Sequence, residues 1–260
     1  MPILVDAINK SYIMNIIQKV WRHRRDLRSI FKSIYFNFHY LPFRQAIHLP
    51  ILLYKPRFFD LKGQIRIVGK DVKYGMVRLG YPIVSIYPNS GIMIENHGGT
   101  IVFNGLCSIG NNSSISVGKK GYCEFGAKFA ASTTFKLVCY HDIRIGDRCR
   151  FGWDCMIMDS DMHKLTKING GYSKGYAPIR IGVNNWFGNG CLVMKRSETP
   201  DYCTISARTI LSGKVDAPKY SVIGQKCDAE VIALGLWRNM DNDIIDYKEC
   251  SDVGNELLGS

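Results

Sequence analysis

The residues best placed to do chemistry are clustered in one short run, Asp159-Ser160-Asp161-Met162-His163. Imidazole has a reference pKa near 6.5, so His163 is suited to take a proton from a hydroxyl at neutral pH. A carboxylate two or four residues earlier, Asp161 or Asp159, can orient the ring and stabilise imidazolium. His141 precedes this run and is read as a second site residue that contacts substrate. Neither a Cys nor a Ser sits in a recognisable nucleophile motif, which favours direct attack over a covalent intermediate.

These residues need a scaffold, and the surrounding sequence supplies one with a six-residue beat. Large apolar residues recur at Ile145, Phe151 and Ile157, then in the same phase at Ile181, Phe187, Val193, Ile205, Leu211 and Ile223. Thr199 and Ala217 break the second run. A helix repeats near 3.6 residues and a half-buried strand every two, so the beat fits neither alone. It fits a parallel β-helix whose coils turn three corners, with one inward apolar residue at each. His163 lies in the interruption, residues 158 to 180. Earlier fragments such as Ile65-Arg66-Ile67, Ile92-Met93-Ile94, Ile101-Val102-Phe103 and Ser114-Ile115-Ser116-Val117 read as coil faces. There the phase wanders: Phe103, Ile109 and Ile115 agree with the later run, whereas Phe125 and Leu137 are shifted.

At 260 residues and 46% hydrophobic, the chain can bury a sizeable core. Of its nine cysteines, Cys107, Cys149, Cys155, Cys191 and Cys203 each stand two residues before a beat position. That slot suits small buried residues at tight corners. With an odd count and no CxxC pair, neither a zinc knuckle nor a complete disulfide framework is supported. A reducing cytoplasm is the expected compartment. The opening residues lack the pattern of a signal peptide, and no run of about 18 apolar residues occurs.

The net charge is +12, and residues 1–62 supply eight of it, with eleven Lys and Arg against Asp6, Asp26 and Asp60. Apolar residues at 13, 16, 17, 20, 27, 30, 31 and 34 follow helical spacing. The expected organisation is a basic helical segment over 1–62, a β-helix over 63–235 and a polar tail over 236–260. The helix is read either as a cap for the first open coil edge or as a peripheral membrane contact. Nucleic-acid binding is not expected, because no recognition motif accompanies the charge.

Several segments resemble the hexapeptide-repeat acyltransferases. Ile143-Arg144-Ile145-Gly146-Asp147 is similar to their repeat opening, and Asp161-Met162-His163 to their aspartate-and-histidine site. Ile179 to Gly188 is similar to their returning coil, and Thr204 to Leu211 to their Ile-Gly-Ala-Gly-Ser-Val-Val element. The stretch Tyr40 to Ile47 is similar to bacterial capsule and O-antigen O-acetyltransferases. The chain departs from the family where Ser206 and Arg208 replace two glycines and Lys195 to Pro200 replaces an apolar, Gly-rich coil. The family's closing Gly-x-Pro-Ala-Lys is also absent.

The resemblance implies a mainly β, left-handed parallel β-helix with an N-terminal helical segment, assembled as a homotrimer. It also implies acetyl transfer from acetyl-CoA to a hydroxyl of a cell-surface polysaccharide or its sugar precursor. His163 would be the base, with Asp161 and Asp159 behind it and His141 on the acceptor. Trp186, Lys195, Ser206, Ala207, Arg208 and Lys214 would hold the coenzyme, its phosphates taking the cations. An N-acyltransferase on an amino sugar and a non-catalytic assembly module are the alternatives. β-Helix trimers can also be zinc carbonic anhydrases with three histidines. No metal is expected here, since no pair of His97, His141 and His163 has short ligand spacing.

Overall fold

The computed structural model describes residues 28–69, 71–163, 174–225 and 229–234. Its strands form three parallel sheets of nine, seven and six strands, each sheet taking every third strand in turn. The chain therefore winds as a three-faced parallel β-helix, in keeping with the expected fold class. Only the last strand, Ala229–Leu234, runs antiparallel, against Ser221–Gln225.

The beat residues stack in register down the interior. On the first face Leu79, Ile109, Ala131, Phe151, Phe187, Ile205 and Ile223 lie one above another. The second face stacks Ile94, Ile115, Leu137, Ile157, Val193 and Leu211. On the third, Ile67, Phe103, Phe125, Ile145, Ile181 and Thr199 do the same. On the first face the Phe151 and Phe187 rings stack with centroids 4.1 Å apart. Each fully buried Leu, Ile or Phe contributes roughly 1.5–3 kcal/mol of transfer free energy.

The six-residue spacing has a backbone cause. Midway between successive beat residues, the corner places one residue in the left-handed region. Between the first and second faces these are Asn112, Thr134, Asp154, Gly190 and Arg208; between the third and first, Lys128, Arg148, Asn184, Tyr202 and Tyr220. The wandering phase arises at the remaining corner. From the second face to the third, Phe125 follows Ile115 by ten residues, Ile145 follows Leu137 by eight and Ile181 follows Ile157 by twenty-four, while Thr199 follows Val193 by six. All seven described cysteines are buried and unbridged.

The first coil begins earlier than residue 63. Strands Ile51–Leu53 and Arg57–Leu61 open the first and second faces, and Gln64–Ile67 opens the third. A helix over 28–40 lies along Ile51–Leu53 and satisfies its open edge with side chains. Asn37 accepts from the Ile51 N–H at 3.1 Å and donates to the Ile51 carbonyl at 2.7 Å. Ser33 Oγ accepts from the Leu53 N–H at 2.9 Å, and Ser29 Oγ from the Lys55 N–H at 2.9 Å. Through these bonds the helix covers the open edge of Ile51–Leu53. The face it turns inward carries Ser29, Ser33, Phe36 and Asn37, while Ile30 and Phe31 point outward. An open strand edge needs donors and acceptors, which apolar side chains lack. The apolar positions before residue 28 and the polar tail lie outside the described residues.

Candidate active site

Coil five runs from Arg150–Phe151 through Met156–Met158 to Ile179–Ile181, and its last corner holds the expected chemistry. There the chain leaves the solenoid through a short antiparallel neck. The Asp161 N–H donates to the Gly175 carbonyl at 2.7 Å, Ser160 bridges Tyr176, and the Ala177 N–H donates to the Asp159 carbonyl at 3.1 Å. His163 follows two residues beyond the neck and is exposed. Residues 164–173 of the excursion lie outside the described residues.

Both expected carboxylate partners of His163 are engaged with other groups. Asp159 is fully buried, and its two oxygens accept from the Tyr140 and His141 N–H groups at 2.7 and 2.8 Å. It fastens the start of the excursion to coil four. Asp161 forms an ion pair and hydrogen bond with Lys195 of coil six. The His141 ring packs against Tyr176, centroids 4.9 Å apart, with Lys174 Nζ over the other partner ring at 4.9 Å. One edge of the prism thus gathers His141 from coil four, Asp159, Asp161, His163 and Tyr176 from coil five, and Lys195 from coil six. Tyr176 and the Asp161–Lys195 pair were not anticipated. They depend on register between coils, for which the sequence offers no local signal.

The candidate coenzyme residues divide between two places. Trp186 pairs in register with Thr204 on the first face, and is 37% exposed. Ser206, Ala207 and Arg208 follow directly in the corner of coil seven, where Ala207 and Arg208 are exposed. Arg208 occupies that corner's left-handed position. This strip joins an indole wall, accessible backbone and a guanidinium, which suits a pantetheine arm ending in phosphates. Lys195 and Lys214 stand at the second-to-third corners instead. Lys195 is held by Asp161, and Lys214 lies 3.6 Å from Glu198. Of the candidate coenzyme residues, Trp186, Ser206, Ala207 and Arg208 thus lie together, and Lys195 and Lys214 lie apart from them.

Among the described residues, no group of three His, Cys, Asp or Glu side chains gathers as metal ligands. The described thiols also lie inside the core. Burial pushes the Cys149 thiol up to about 12 and raises Cys107 further. The Cys155 thiol is raised by its hydrogen bond with Cys191 and by burial, and the same bond lowers Cys191.

No protein-family model and no curated protein matches the chain. Among solved structures it is similar to the polysialic acid O-acetyltransferase OatWY, at 17% identity and a TM-score of 0.42, over 62% of this chain and 75% of that one. It is similar to the polySia-specific acetyltransferase NeuO at 17% identity and a TM-score of 0.49, over 76% and 96% of the two chains. A third likeness is to a hexapeptide-repeat-containing acetyltransferase of Vibrio cholerae complexed with acetyl coenzyme A, at 13% identity and a TM-score of 0.36, over 49% and 64%. The parallel β-helix itself is established by the strand pairing above.

Proposed function

We propose that the chain is an O-acetyltransferase moving an acetyl group from acetyl-CoA to a hydroxyl of a cell-surface polysaccharide or its sugar precursor. The observation that most supports this is the neck of coil five. It carries His163 on a stem anchored by the buried Asp159, on an edge shared with His141. A base on an anchored stem, at the segment that resembles the acyltransferase site, suits deprotonation of a hydroxyl.

Bound acetyl-CoA would supply the activated acyl carbon as a thioester. His163 takes the acceptor's hydroxyl proton as that oxygen bonds to the acyl carbon. Its imidazolium returns the proton to the departing thiolate as the carbon–sulfur bond breaks. Asp159 and Asp161 act as positioning residues, one through two backbone N–H groups and the other through Lys195. Burial of the described cysteines supports direct attack, since no acyl group reaches a thiol inside the core. Their unbridged state supports a reducing, cytoplasmic setting. A homotrimer is part of this reading: an adjoining copy would bring a Trp186–Arg208 strip towards the edge that carries His163.

The test is calorimetric binding of acetyl-CoA, with thioester turnover on a bacterial glycan extract, for wild type and His163→Ala. Both proteins are expected to bind, with turnover falling about 10²- to 10⁴-fold in the variant. Absence of binding to either would leave a non-catalytic assembly module.

A further inference from the structure

The capping helix has an outer face that the solenoid does not use. Ile30, Phe31, Tyr35 and Phe38 on it, with Phe43 and Ile47 in the next turn, are 47–71% exposed. Six large apolar side chains are thus exposed within eighteen residues, with the Phe38 and Phe43 rings 6.1 Å apart, and a cluster of this kind marks an interaction surface. Beside it, a groove of about 440 Å³ is lined by Arg28, Lys32, Lys55 and Arg57, with Ser29, Pro56, Asn89 and Ser90 and, among the described residues, no acidic one. Two of these cations donate to neutral carbonyls, Lys32 Nζ to Pro56 at 2.8 Å and Lys55 Nζ to Asn89 at 3.0 Å. Their charge is left uncompensated by those bonds. In sequence, residues 1–27 add five Lys and Arg against two Asp.

We infer that this end of the solenoid docks on an anionic phospholipid surface. The aromatic face enters the headgroup boundary and the four-cation groove receives lipid phosphates. The combination is that of an interfacial amphipathic helix, with apolar burial and electrostatic attraction acting together. Charge favours lipid over a second copy of the chain. A two-fold contact through the same patch would set the cationic groove close to its own image, which is unfavourable. The inference stands independently of the acetyltransferase reading, because it uses neither the coil-five edge nor the coenzyme strip.

The experiment is co-sedimentation of the full chain with phosphatidylglycerol–phosphatidylcholine vesicles in equal parts, beside pure phosphatidylcholine vesicles. Binding to the anionic vesicles is expected, weakening as salt rises. Lys32→Gln with Arg57→Gln should weaken it about twenty-fivefold, at about fivefold per cation. Phe31→Ser with Phe43→Ser should weaken it at least about tenfold. Both doubly substituted chains should keep the wild-type melting temperature, since the replaced residues are exposed. Equal binding to both vesicle types, binding that survives both sets of substitutions, or no binding at all would overturn the inference. So would lipid-free self-association abolished by the Phe substitutions, which would assign the patch to a second copy.

Discussion

Two of the chain's excursions from the solenoid are held differently. Residues 82–91, between the first and second faces of coil two, lie over the corners of later coils and are fastened by amide and hydroxyl donors, together with the Lys55 ammonium, which donates to the Asn89 carbonyl at 3.0 Å. Asn111 Nδ2 donates to the Pro88 carbonyl at 2.8 Å, Ser90 Oγ donates to Asn112 Oδ1 at 2.7 Å, and the Tyr87 hydroxyl donates to Asp154. The coil-five excursion is fastened by a buried carboxylate and an ion pair, Asp159 on two N–H groups and Asp161 on Lys195. A clasp without a buried charge is sufficient to lay a loop on a surface. A buried charge costs more to place, and at Asp159 it fixes the stem beneath the one edge that carries imidazoles.

The largest effect is expected from Asp159→Ala. It removes two charge-assisted hydrogen bonds and leaves two partly buried N–H groups unpaired, for a loss of about 3 kcal/mol in denaturant melts. Turnover should fall with it, because the stem below His163 is released. Asn111→Ala cuts the corresponding clasp of coil two. We expect about 1–2 kcal/mol of destabilisation and unchanged turnover in the folded protein; loss of activity there would erase the distinction between the two excursions.

Lys195→Gln sharpens the comparison further. If Lys195 serves the neck, kcat should drop about tenfold, an effect of about 1.4 kcal/mol, with KM for acetyl-CoA unchanged. A raised KM alone would return Lys195 to the coenzyme. The smallest effect is expected at Tyr87. Its hydrogen bond to Asp154 raises the phenol above its ordinary 10.0, so its contribution is present below pH 10 and lost as pH rises through the higher folded value. Alkaline melts of Tyr87→Phe should therefore lose less stability than wild type above pH 10.

Much of the scaffold is legible in the sequence because a coil repeats one inward residue per corner. The run from Ile145 to Ile223 and the early fragments at 65, 92, 101 and 114 all fall on strands. The shifts at Phe125 and Leu137 come from length added at the second-to-third corner, while from Phe103 onward the other two corners keep their spacing. The start of the solenoid was hidden because Ile51–Leu53 and Arg57–Leu61 are flanked by prolines and lie next to basic residues, a texture shared with the helical segment. The cap's polar inner face was hidden for a similar reason. Helical periodicity is read from apolar residues, and Ser29, Ser33 and Asn37 act through hydrogen bonds to a strand edge distant in sequence. At the site, the residue types of the Asp159–His163 run are readable. Which carboxylate meets which partner depends on the stacking of three coils.

The column of thiols in the core makes the protein a reporter of its own opening. A thiol reagent added to the native chain meets no described sulfur until a coil separates from its neighbour. Because the described cysteines are distributed from Cys107 to Cys203, the order in which they become labelled would map where the rod comes apart first.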